Sequence, residues 1–186
     1  MSDTPNTPIH IMLDTETLGM GENAIILSIG AVKFDLETGV DLKDFYIDID
    51  PQKYPGSVDI STIKFWMEQI AEGKKAPMAG ILDVGAAIGM FNQWLLDACG
   101  EDTSRLVIWA NGTDFDIPKL AYAYKVCGGN PPWKYNSVRD ARTVYKLFPD
   151  YGLKPPEVDK HHALADARWQ AEYLISMLTN LNEPRH

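Results

Sequence analysis

Residues 9–17, Ile9-His10-Ile11-Met12-Leu13-Asp14-Thr15-Glu16-Thr17, decide how this chain is read. The run from Ile9 to Leu13 has the length and apolar content of a buried strand, and it stops at Asp14. Alternate side chains of a strand share a face, so Asp14 and Glu16 project together and could hold a divalent cation between them. Carboxylates at the end of a central strand must be paired with cations or hydrogen-bonded. A second such pair, Asp35-Leu36-Glu37-Thr38, leads into Gly39 and reads as a solvated hairpin turn. On the motif alone, a strand end whose acids merely meet water or a lysine is as good a reading of Asp14 and Glu16.

Outward from this stretch, Asn23 to Phe34 reads as a second strand. Leu42 to Ile49 reads as a third, with Phe45, Ile47 and Ile49 alternating against polar neighbours. Short connections make the three an antiparallel meander. After Pro51 the texture turns helical: Asp59 to Thr62 supplies cap candidates, and Ile63, Trp66, Met67 and Ile70 follow at helical spacing. Gly73 to Gly80 is a loop, Val84 to Ala98 an amphipathic helix and Arg105 to Ala110 a buried fourth strand. Thr113 to Cys127 is a helix ended by Gly128-Gly129 and Pro131-Pro132. Ser137 to Phe148 and Ala163 to Leu181 read as the last two helices, with a Pro-rich, partly basic loop between them. Without repeats or a dividing linker, the expectation is one α/β domain over residues 9–182 behind a flexible polar tail, residues 1–8.

Composition narrows the classes. With 186 residues, 45% hydrophobic, the chain can bury a sizeable core, which excludes disorder, collagen-like repeats and a disulfide miniprotein. Cys99 and Cys127 have no nearby ligand pattern and suggest a reducing compartment. No signal peptide or membrane span is legible, so the cytoplasm is the default location and no membrane is expected as a partner. A net charge of −9 argues against a protein held to nucleic acid by bulk positive charge.

Two later segments carry further candidates. In Trp109-Ala110-Asn111-Gly112-Thr113-Asp114-Phe115-Asp116, Asp116 falls in the first turn of a helix, with Thr113 as cap and Phe115 as inward anchor. Asp114 competes with Asp116, and acids at a helix start are favoured by the dipole without any function. In His161-His162-Ala163-Leu164-Ala165-Asp166, Asp166 opens the last helix and His161 lies in the loop entering it. An imidazole titrating near neutral pH suits proton acceptance from an attacking water, although spacing does not separate His161 from His162.

Taken together, Asp14-x-Glu16, Asn111-x-x-x-Phe115-Asp116 and His161-x-Ala163-x-x-Asp166 resemble the three exonuclease motifs of the DEDDh superfamily. That group includes the proofreading subunit of bacterial DNA polymerase III, ribonuclease T and oligoribonuclease. Ser61-Thr62-Ile63-Lys64-Phe65-Trp66, with Arg139-Asp140 and Arg142-Thr143, looks closest to a bacterial and prophage branch near exonuclease VIII and its small 3′-5′ exoribonuclease relatives. The resemblance implies a ribonuclease H-like fold with a central mixed sheet flanked by helices. It implies that Asp14, Glu16, Asp116 and Asp166 bind two Mg²⁺ or Mn²⁺ ions, with His161 as general base. The implied reaction is hydrolysis of single-stranded RNA or DNA from the 3′ end to nucleoside 5′-monophosphates. Alternatives are a ribonuclease H-like endonuclease and a non-catalytic binding module on the same fold. Dimers are frequent in the resembling branch, so a homodimer is among its implications.

Thr17, Leu18, Asn111, Phe115, Arg139 and Arg142 are further candidates for touching the substrate, while Trp109 reads as core. Residues 1–118 hold seven basic and 19 acidic side chains, but residues 119–168 hold nine basic and five acidic. The second segment is therefore the expected track for a strand backbone, and the first gains cations only through bound metal.

Overall fold

The computed structural model describes residues 7–36, 38–149 and 161–182. Residues 1–6 of the expected tail and the Pro-rich loop over 150–160 lie outside the described residues. So does Glu37 of the second Asp-x-Glu, where the Asp35 Oδ1 accepts the Thr38 N–H at 2.8 Å, a local turn bond.

Five strands form one mixed sheet in the order β3-β2-β1-β4-β5. Strands β1 (Ile9–Thr17), β2 (Ile26–Asp35) and β3 (Gly39–Asp48) make the expected meander, and β4 (Leu106–Ala110) runs parallel to β1. β1 is therefore central, with hydrogen bonds on both sides. It does not stop at Asp14 as its apolar run suggested: pairing with β2 continues to Thr17, so both acids sit inside the strand. Helices α1 (Ile60–Ala71), α2 (Val84–Cys99) and α3 (Thr113–Val126) lie close to the ranges read from spacing.

Residues 137–148 correct the sequence reading. Instead of one helix, Val138–Asp140 is a short strand, β5, parallel to β4, and α4 covers only Ala141–Leu147. The β-branched Val138 completes the sheet edge, and Asp140 starts the helix by accepting the Arg142 N–H at 3.0 Å. The last helix, α5, is Ala163–Asn182. Among the described residues no helix is long and apolar enough to cross a membrane.

Strand alternation divides the interior into two cores. Ile11, Leu13, Ile29 and Ile108 face one side, where Trp66 of α1, Phe91 and Leu95 of α2 and Leu120 of α3 cover them. Met12, Val32, Phe34 and Trp109 face the other, beneath Ala141 of α4 and Ala167, Ala171 and Leu174 of α5. Trp109 is buried as expected, and its Nε1 donates to His10 Nδ1 at 3.0 Å.

Asp14 and Glu16 belong to the second face, directly under the start of α5. Gly30, the partner of Asp14 on β2, permits that approach: a Cβ there would lie 2.2 Å from both the Ala163 carbonyl carbon and the Leu164 nitrogen. Because the obstacle is backbone, Gly30→Ala must displace the helix that carries Asp166. Thermal unfolding should show a loss of about 2 kcal/mol or more, the usual scale of an overpacked core; an unchanged Tm would contradict this packing.

Candidate metal and catalytic site

Three carboxylates converge where β1 passes under α5. One oxygen each from Asp14, Glu16 and Asp166 lies within 4.8 Å of the other two. Glu16 is buried, whereas Asp14 and Asp166 keep partial exposure. Burial, then the charges of Asp116 and Glu16, pushes the Asp14 carboxyl well above its ordinary range. Burial, then Asp166 and Asp116, raises Glu16 to about 8. Asp166 is also raised by burial, with partial relief from the His161 N–H, which donates to its Oδ2 at 2.9 Å.

Asp116, the fourth expected ligand, lies outside this 4.8 Å group and acts on Asp14 and Glu16 through its charge. It is 3% exposed, in the first turn of α3, and its Oδ1 accepts both the Thr15 N–H at 3.1 Å and the Thr15 hydroxyl at 2.7 Å. Burial raises its pKa to about 6 against the opposing pull of Thr15, Lys119 and Arg142. Asp114, the competing acid, points to solvent. Thr113 is not the cap: Gly112 holds that position at φ 105°, and α3 begins without a side-chain cap. Nor is Phe115 a buried anchor. It is half-buried, with the Lys119 ammonium 3.2 Å from its ring centroid.

The two histidines part company. His161 adopts φ 69°, uncommon for a residue with a Cβ, and turns its ring edge-on to Phe65 at 4.8 Å and Trp66 at 6.3 Å. His162 stacks on Tyr46 at 4.4 Å, and its Nδ1 accepts the Ala165 N–H at the start of α5. Both residues act on Asp166, but the His161 ring packs against α1 while the His162 ring lies on Tyr46 of β3.

Of the other candidates, Thr17 and Leu18 are buried and occupied in holding the turn after β1. Thr17 donates its hydroxyl to the Gly19 carbonyl and receives Trp66 Nε1 on its own carbonyl. Leu18 packs in the core, so the exposed apolar side chain of this turn is Met20. Arg142 donates to the Asn111 carbonyl at 2.6 Å and acts on Asp116, so both it and Asn111 border the site. Arg139 instead donates to the Asn136 and Val138 carbonyls, and the charge it bears on is His10.

Spacing missed Gln170, whose Nε2 donates to Asp14 Oδ1 at 2.9 Å from one turn beyond Asp166. Lys119, counted by its charge among the basic residues of the expected backbone track, is buried instead. Both lie on buried stripes of their helices, the one available signal that they face inward.

Residues 9–178 match the family described as the 3′-5′ exoribonuclease Rv2179c-like domain. The chain belongs to this family. The exodeoxyribonuclease of Enterobacteria phage T4 is 29% identical over 123 residues, covering 59% of this chain and 52% of that protein. The zinc-bound form of the E. coli exonuclease I complex with single-stranded DNA superposes with a TM-score of 0.68 at 15% identity, covering 96% of this chain and 42% of that one. E. coli exonuclease I in complex with a dT13 oligonucleotide gives a TM-score of 0.66 at 13% identity, over 95% and 41%. At such identities the likeness shows the fold, which is ribonuclease H-like. The Rv2179c-like chain thus spans about half the length of the phage relative and about two fifths of exonuclease I.

The donor set of this family member fits a hard divalent cation: several carboxylate oxygens, no thiolate, and charge repulsion that a cation would relieve. A carboxyl whose pKa rises on folding costs stability above its ordinary value. For Glu16 that cost begins above 4.5 and grows until about 8. Glu16→Gln should therefore raise the Tm of chelator-treated protein at pH 7.5 by about 2–4 °C, the shift expected of roughly 1 kcal/mol at this size. A lower Tm in that calorimetric comparison would mean that the repulsion is not there.

Proposed function

We propose that the protein is a divalent-metal-dependent 3′-5′ exonuclease that releases nucleoside 5′-monophosphates from the 3′ end of single-stranded RNA, DNA or both. The convergence of Asp14, Glu16 and Asp166 within 4.8 Å carries this reading, with Asp116 and His161 at its edges. The four acids would hold two Mg²⁺ or Mn²⁺ ions. Bound there, the ions supply Lewis acidity for making the nucleophile at neutral pH and for relieving charge on the leaving 3′ oxygen.

The chain's own groups do the rest. Gln170 orients the Asp14 carboxylate, and Thr15 orients that of Asp116. His161, braced by Phe65 and Trp66, accepts the proton of the attacking water on an imidazole nitrogen. Its backbone N–H holds Asp166, so the base and one metal ligand keep a fixed relation. Arg142 at the Asn111-Gly112 turn offers a guanidinium to a phosphate approaching the cluster.

The RNA or DNA preference is open to both sugars, since the family description names an exoribonuclease and the phage relative an exodeoxyribonuclease. The test incubates 5′-labelled RNA and DNA oligomers of one sequence with Mn²⁺ or Mg²⁺, alongside 3′-phosphate-blocked and circular controls. A labelled ladder that shortens stepwise from the free 3′ end, with nucleoside 5′-monophosphates released, supports the reading; cutting of the circle, or no product from either polymer, rejects it. Asp14→Ala and Asp116→Asn should bring turnover to background. His161→Ala should lower kcat by about 10²- to 10⁴-fold, the range of one general base, while His162→Ala leaves it within about threefold. Equal losses from the two histidine variants would overturn the assignment of His161.

A further inference from the structure

Among the described residues, Lys119 is the one lysine or arginine with a buried side chain, at 1% exposure. Burying an ammonium is costly, and an apolar side chain of the same length would fill the space at no such cost. What compensates the charge is specific. Lys119 Nζ donates to the Phe115 carbonyl one turn back at 3.0 Å and, across 99 residues of sequence, to the Met20 carbonyl at 3.3 Å. It lies over the Phe115 ring and interacts with Asp116, Asp114 and Asp59.

Met20 is gripped from its other side as well. Asp59 occupies the cap position of α1 but makes no cap bond; its Oδ2 accepts the Met20 N–H at 2.6 Å. The rest of the turn is equally committed: Leu18 N–H to the Ile25 carbonyl, the Asp59 N–H to the Leu18 carbonyl, and the Thr17 hydroxyl to the Gly19 carbonyl. The Lys119 bond to the Met20 carbonyl ties this turn to α3, the helix of Asp116.

We propose that Lys119 is a positioning residue with two coupled tasks. Its ammonium fixes the 18–21 turn against α3, and its charge offsets part of the negative charge at Asp116. The inference rests on the exonuclease reading for the importance of the turn, which follows Thr17, the last residue of β1 and the neighbour of Glu16, and presents Met20 at 67% exposure. The two tasks predict opposite signs. Removing the charge makes the cluster more negative and tightens divalent-cation binding, while freeing the turn weakens nucleic-acid binding; a damaged fold would weaken both.

Full-length Lys119→Met and Lys119→Arg test this. In Lys119→Met, calorimetry should show Mn²⁺ binding about three- to tenfold tighter, the effect of one screened charge. Oligonucleotide KM should rise about tenfold with kcat within about threefold. Hydrogen exchange of the 18–21 amides should accelerate, and Lys119→Arg should keep wild-type Mn²⁺ affinity. Unchanged or weaker Mn²⁺ binding in Lys119→Met, or unchanged exchange at 18–21, overturns the proposal. If the wild-type protein cuts no nucleic acid, the exonuclease reading fails, yet the Mn²⁺ and exchange results still judge Lys119, because neither needs turnover.

Discussion

Mutual repulsion among carboxylates held close together is the constraint around which this structure is arranged. Asp14, Glu16 and Asp166 would separate if their backbones allowed it. β1 cannot move, because it is hydrogen-bonded to β2 on one side and β4 on the other. α5 cannot lift without exposing Ala167, Ala171 and Leu174. Each such side chain buried against the sheet contributes up to roughly 1.5–3 kcal/mol for the largest, enough to outweigh a raised carboxyl pKa. The hydrophobic cores thus do the work of compressing charge, and the missing Cβ of Gly30 sets how close the helix comes.

Around the cluster, cations and donors are few and placed one by one. Gln170 serves Asp14, Thr15 serves Asp116, the His161 N–H serves Asp166, and Lys119 is the buried counter-charge. Neutralising the cluster fully with protein cations would leave no role for a metal. Leaving it wholly unpaired would cost more stability than a domain of this size can spare. A few hydrogen bonds, Lys119 and Arg142 compensate the cluster only in part, and the repulsion that remains is what a divalent cation would relieve.

Much of this was legible in the chain. Apolar runs located β1 to β4, and the motifs around Asp14, Glu16 and Asp166 pointed to three carboxylates that the fold does bring together, with Asp116 bonded to Thr15 and His161 to Asp166. What the sequence hid has physical causes. β5 is three residues long, and its Val138 is followed at once by a helix start at Asp140, so periodicity cannot separate the two. Gln170 and Lys119 act on partners 156 and 99 residues away, pairings that only the folded chain creates. Leu18, read as a contact for substrate, is buried because the turn after β1 folds back onto α1.

The account's central claim is that the compressed acids exist to hold divalent ions, and calorimetric titration of the wild-type protein with Mn²⁺ tests it most directly. The account predicts saturable binding of two ions per chain, lost in a folded Asp14→Asn variant. Absence of binding to the wild type, or equal binding to the variant, would contradict it.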